Sequence, residues 1–194
     1  MRRRALLGLV PAVLLAAAPA ALAGAPRAPV VGCKDRITGA VTVVGGESRP
    51  YRFVVRPGDT VIGPVAFAGA RRYGAESAWS LLVARDQWLK TLATLRHGAR
   101  ATLAVPRGQR AWMRLTYGGV EGPAVTLRAC RGEATREECG RGPRDTCHGR
   151  TPWAGGFVID YAKAPHQGRC AELEVWLPRR ERPLRERLFA ATCE

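Results

Sequence analysis

Short runs of alternating apolar and polar residues, punctuated by Gly and Pro, make up most of this chain. Tyr51-Arg52-Phe53-Val54-Val55-Arg56 reads as a strand closed by the turn signal Pro57-Gly58-Asp59, and Thr60 to Ala68 as another. Gly63-Pro64 lies inside that second run, and a proline without an N–H there marks an edge or a bulge. Trp79 to Arg85, Trp88 to Arg96 and Arg100 to Val105 continue the series. In Gln109 to Tyr117 the period of two is clear: Ala111, Met113, Leu115 and Tyr117 share one face, Arg110, Trp112, Arg114 and Thr116 the other. Ala124 to Cys130, Gly156 to Tyr161, Ala171 to Leu177 and Leu184 to Thr192 follow, and Val41 to Val44 adds a strand at the start. Short runs with period two and regular turn signals predict an all-β fold, a two-sheet antiparallel sandwich of Ig-like or jelly-roll-like type. Only residues 85–97 and 181–191 also admit a short helix. The one irregular stretch is Arg131 to Pro152, charged and Gly-rich; a loop of that length in a compact domain is expected to be functional or tied down.

The start of the chain breaks the pattern. Met1-Arg2-Arg3-Arg4 is basic, Ala5 to Ala20 is apolar, and Ala21-Leu22-Ala23 places small residues where a signal peptidase needs them. Basic, apolar and small-x-small in that order is a secretory leader, cleaved after Ala23. Pro11 and Pro19 interrupt the run, which is too short for a spanning helix. Residues 24–194 then form a single domain, long enough to bury a sizeable core. Arg3-Arg4 loosely fits a twin-arginine address, although a basic start containing adjacent arginines is the simpler reading. Val30-Val31-Gly32-Cys33 resembles a lipobox, but Arg27 and two prolines separate it from the apolar run, and acylating Cys33 would leave an odd number of cysteines.

Cys33, Cys130, Cys139, Cys147, Cys170 and Cys193 all follow the leader. An even count in an exported chain reads as three disulfides. No C-x-x-C pair is present to bring two thiolates to one zinc ion, so no metal and no cofactor is expected. A hairpin of 171–177 and 184–192 would bring Cys170 near Cys193. Cys139–Cys147 would tie the irregular stretch, leaving Cys33 for Cys130. This is one of fifteen connectivities.

Charge changes the functional picture. The chain has 31 basic residues, all but three of them Arg, against 16 acidic ones. Three of the basic residues lie in the leader, so the exported part carries 28 against 16, a formal +12. Such a surplus draws polyanions at low salt. The turn Arg179-Arg180-Glu181-Arg182 offers guanidinium groups suited to carboxylate or phosphate, and the strand face Arg110, Trp112, Arg114 would stack a sugar and clamp a neighbouring anion. The plainer readings are a solvated hairpin turn and a strand face covered by its neighbours. No nucleic-acid module is visible.

Catalytic signals are weak. Ser48, Ser77 and Ser80 lie outside any G-x-S-x-G turn, and a fully paired cysteine set leaves no thiolate nucleophile. His148 and His166, with Asp145 and Asp160, are the candidates for general acid–base chemistry, although loop histidines are more often solvated; His97, in a turn before Gly98, is weaker still. Glu172 and Glu174 project from one strand face and Glu137-Glu138 from the charged stretch, both arrangements that a solvated surface also produces.

The segment Trp153-Ala154-Gly155-Gly156-Phe157-Val158-Ile159, followed by Arg169-Cys170-Ala171-Glu172-Leu173-Glu174-Val175-Trp176, resembles exported proteins of unknown function from high-GC bacteria. The likeness covers about the last third of the chain, with a looser match at Val125 to Cys130. It implies a disulfide-bonded β-sandwich and transfers no catalytic residue. The expectation is therefore a monomeric, secreted or envelope-associated binding module for an acidic polymer or polysaccharide. A small secreted hydrolase and an extracellular protein–protein interaction domain are the alternatives.

Overall fold

The computed structural model describes residues 24–38, 41–44, 47–50, 53–70, 88–131, 149–160, 162–163 and 171–188. The leader, His148, His166, Asp145, Glu137-Glu138, the strand expected at 79–85 and the pairings Cys139–Cys147 and Cys170–Cys193 lie outside these residues. The described chain is an all-β sandwich.

One layer is a five-stranded sheet. β8 (Arg100–Ala104) pairs antiparallel with β11 (Ala124–Arg128) on one side and with β14 (Glu172–Trp176) on the other. β15 (Leu184–Arg187) forms one edge beside β14, and β1 (Val30–Val31) the other, parallel to β11. Alternation assigns the faces. Ala101, Leu103, Val125, Leu127, Leu173 and Val175 point into the core, while Arg100, Arg128 and Glu172 point out.

Two further sheets have four strands each and follow one another along a common register. β6 (Trp88–Lys90) pairs with β13 (Gly155–Ile159), and β7 (Ala93–Arg96) with β12 (Arg150–Trp153), so residues 88–96 run antiparallel to 150–158. The single run expected at 88–96 breaks at Thr91-Leu92, opposite Ala154, where one sheet gives way to the other; Thr91 N–H still donates to Gly155 C=O at 2.9 Å. β9 (Met113–Tyr117) and β10 (Val120–Gly122) extend one half; β5 (Val65–Phe67) and β4 (Thr60–Ile62) extend the other. A separate hairpin joins β2 (Val41–Val44) and β3 (Glu47–Pro50).

Several boundaries differ from the sequence reading. The strand expected at 51–56 lies earlier, at β3, and residues 53–56 carry no strand. The run 60–68 is a hairpin rather than one strand. Gly63, at φ +58, opens its turn, and Pro64 follows where the ladder asks no N–H of it. The expected irregular stretch contains β12, whose Pro152 falls in an edge strand. Both segments that admitted a helix contain strands instead.

Residues from all three sheets share one core. Phe67, Tyr117 and Phe157 form an aromatic triangle at its centre, with ring centroids 6.1–6.4 Å apart. The Tyr117 hydroxyl meets Thr91 Oγ1 at 3.2 Å, and burial pushes its pKa far above the ordinary phenol value. The segment after β1 is fastened twice. Trp153 Nε1 donates to Gly32 C=O at 3.0 Å, and Cys33 is bonded to Cys130, the pairing expected from the sequence.

Candidate functional site

The candidate residues fall at two opposite ends of the sandwich. At the end where β8 stops, residues 107–109 form a 3-10 turn and strand β9 begins only at Met113. The alternation expected from Gln109 onward therefore fails over its first half, and the face Arg110, Trp112, Arg114 does not form. Trp112 is rolled inward by the turn, is 7% exposed and packs in the main core; it offers no ring face to a sugar. Arg110 Nε donates back to Val105 C=O at 3.0 Å, and Arg114 is exposed but paired with Glu121 at 3.3 Å.

Asp160 lies beside this turn, its N–H donating to Trp112 C=O at 2.7 Å. Its carboxylate accepts from Lys163 Nζ at 2.7 Å, and that bond holds its pKa below the usual carboxylate value. Among the described residues no group of three or more His, Cys, Asp or Glu converges as metal ligands would.

The two carboxylates of β14 are engaged in the sheet. Glu174 is 9% exposed, accepts from Arg185 at 2.8 Å and from Trp176 Nε1 at 3.3 Å. Glu172 faces Arg187 at 3.9 Å. A pair of acids flanking a sugar bond would have to be open to it; these are cross-strand ion pairs.

The opposite end gathers several loops through their backbones. His97 N–H donates to Gly149 C=O, Gly98 N–H to Cys130 C=O and Ala129 N–H to Ala99 C=O, at 2.6, 2.8 and 3.1 Å. The expected hairpin of β14 and β15 forms, and its turn at 178–182 lies at this end. Arg179, Arg180 and Arg182 are all exposed, and Arg179 takes φ 66. Among the described residues none of these three has an ion-pair partner. Arg100 and Arg128 also lie here, at the ends of their strands. The sequence reading missed both, because only the strand register shows that they are neighbours.

Arg150, at this end of β12, is of a different kind. It is 7% exposed, and its guanidinium donates to Thr94 Oγ1, Thr94 C=O and Pro64 C=O at 2.8, 3.1 and 2.8 Å. Desolvation and the neighbouring Arg96 lower its pKa, while Asp59 opposes that shift. It is a structural cation that laces the β4–β5 turn to β7.

No protein-family model matches the chain, and neither a curated protein nor a solved structure matches it.

Proposed function

We propose that the chain is an exported, non-enzymatic module that binds acidic polymers of the cell envelope or the extracellular space. In this reading residues 1–23 are the leader, removed after Ala23, and the working protein is the monomeric sandwich of residues 24–194. The order of charge, apolar run and small residues at the start supports export, and so does the Cys33–Cys130 bond. No helix of the described residues is long and apolar enough to cross a membrane.

The observation that carries the reading is a cluster of arginines at one hairpin turn. The guanidinium groups of Arg179, Arg180 and Arg182 are exposed, have no ion-pair partner among the described residues, and outnumber the one acid of that turn, Glu181. Guanidinium binds carboxylate and phosphate bidentately, so such a turn is suited to an anionic polymer.

The test is sedimentation of the oxidised mature protein with isolated cell walls, and with soluble acidic glycans, at low ionic strength. Co-sedimentation that salt reverses is expected. A protein that stays in the supernatant under those conditions removes the proposal.

A further inference from the structure

The outer face of the five-stranded sheet carries two kinds of cross-strand pair, segregated by end. Near the start of β14 the rungs are complementary, Glu172 opposite Arg187 and Glu174 opposite Arg185. At the other end the last rung between β8 and β11 sets Arg100 directly opposite Arg128. Both are exposed, and among the described residues neither has an ion-pair partner. Like charges so placed repel one another, so this rung costs the fold something that the complementary rungs do not.

The arginine pair continues into the hairpin turn. Trp176 of β14 lies opposite Thr102 of β8, so Pro178, two residues on, comes level with Arg100, and the turn bearing Arg179, Arg180 and Arg182 extends the row. With neighbouring strands about 4.8 Å apart, the distance from β11 to β15 is about 14 Å. The row is also anchored, because the Cys33–Cys130 bond closes two residues past Arg128.

We infer that Arg100, Arg128, Arg179, Arg180 and Arg182 form one binding track for a linear polyanion with a repeating phosphate or carboxylate group, lying across the strands at the disulfide end. This rests on the acidic-polymer reading above and gives it an address. A single small anion would engage two guanidinium groups and leave the others unmatched, whereas an extended chain with an anionic group in each repeat meets the whole row and relieves the Arg100–Arg128 repulsion. The far end is not equivalent: there Arg110 is bonded to its own backbone neighbour and Arg114 to Glu121.

The experiment measures affinity of the mature, oxidised protein for long-chain inorganic polyphosphate and for polygalacturonate at low salt. Arg100→Glu rebuilds a complementary rung. It is expected to weaken binding by about tenfold while the melting temperature holds or rises. The neutral double variant Arg100→Gln/Arg128→Gln should weaken it in the same direction. Arg107→Gln, which removes a charge from an exposed residue at the opposite end, should leave affinity within about twofold. Preference for polyphosphate over polygalacturonate assigns the ligand group as phosphate, the reverse preference assigns carboxylate, and equal affinity assigns charge density alone; each agrees with the track. Wild-type affinity in both rung variants, or an equal loss in Arg107→Gln, overturns the track while leaving the polymer reading intact. A wild-type protein that binds neither polymer removes the polymer reading itself.

Discussion

Gly155 and Gly156 show how much of the W-x-G-G-F segment is set by packing. A Cβ on Gly155 would run into the Thr116 carbonyl and the Tyr117 ring, and one on Gly156 into the Leu89 carbonyl. Backbone on both sides cannot move aside as a side-chain tip can. Gly156→Ala is therefore expected to destabilise the fold by about 2–3 kcal/mol, read as a lower denaturation midpoint with an unchanged slope. A change near zero would mean that β6 and β13 separate more easily than their ladder implies. Arg150 shows the same dependence in a polar group. Its fork reaches a hydroxyl and two carbonyls at once, a geometry that an ammonium cannot copy. Arg150→Lys should cost about 2 kcal/mol despite keeping the charge, measurable by the same titration. From the sequence Arg150 is one more member of a basic surplus. Nothing in its neighbours along the chain announces that it is buried, because its partners, Thr94 and Pro64, come from elsewhere in the fold.

Among the elements, two signals made strands legible. In β9, Met113, Leu115 and Tyr117 are buried while Arg114 is exposed, so the alternation is written in the residues; β8 and β11, buried at four of five positions, were legible as short apolar runs between turn signals, and the β14–β15 hairpin because Pro178 to Pro183 separates two runs of strand length. Strands that escaped the reading lack a clear run of that kind. β12 is buried at all four positions and contains Pro152. β1 is two residues long and gains its place through the parallel pairing with β11 and the bond of Thr126 N–H to Pro29 C=O. Trp112 misled for the opposite reason: a local turn reverses the face that alternation assigns. The candidate site was legible in its turn, Arg179 to Arg182, and hidden in its rung, since Arg100 and Arg128 meet only through register. The disulfide holds these weak elements in place. It spans a sequence separation of 97, a loop for which chain-entropy reasoning gives about 4–5 kcal/mol. The double variant Cys33→Ser/Cys130→Ser should lose roughly 2–5 kcal/mol of stability. Hydrogen exchange should show the Thr126 amide opening before those of the β8–β11 ladder. Uniform loss of protection would instead mean that β1 belongs to the same cooperative unit as the central strands.

At the scale of the whole molecule, the charge surplus makes binding and stability respond to salt in opposite senses. The polymer is held by exposed guanidinium groups, and the Debye length falls from about 30 Å at 0.01 M to about 10 Å at 0.1 M and about 3 Å at 1 M. Over that range the attraction of a track about 14 Å long for distant anionic groups is screened, so affinity for polyphosphate should drop steeply. The fold rests on an apolar core and a covalent bond that salt leaves alone; on the five-stranded sheet salt weakens the Glu172–Arg187 and Glu174–Arg185 rungs and relieves the Arg100–Arg128 rung. Screening the Arg100–Arg128 rung removes a penalty of about 0.2–1 kcal/mol, and screening the self-repulsion of residues 24–194, with their formal +12, adds to it; together they outweigh the weakened rungs, so the melting temperature of the free protein should rise slightly with added salt. Arg100→Glu turns the rung attractive, and in that variant the same salt should lower the melting temperature or leave it flat. If wild type and Arg100→Glu respond to salt identically, the two side chains do not feel one another, and the case for a polyanion relieving their repulsion loses its physical basis.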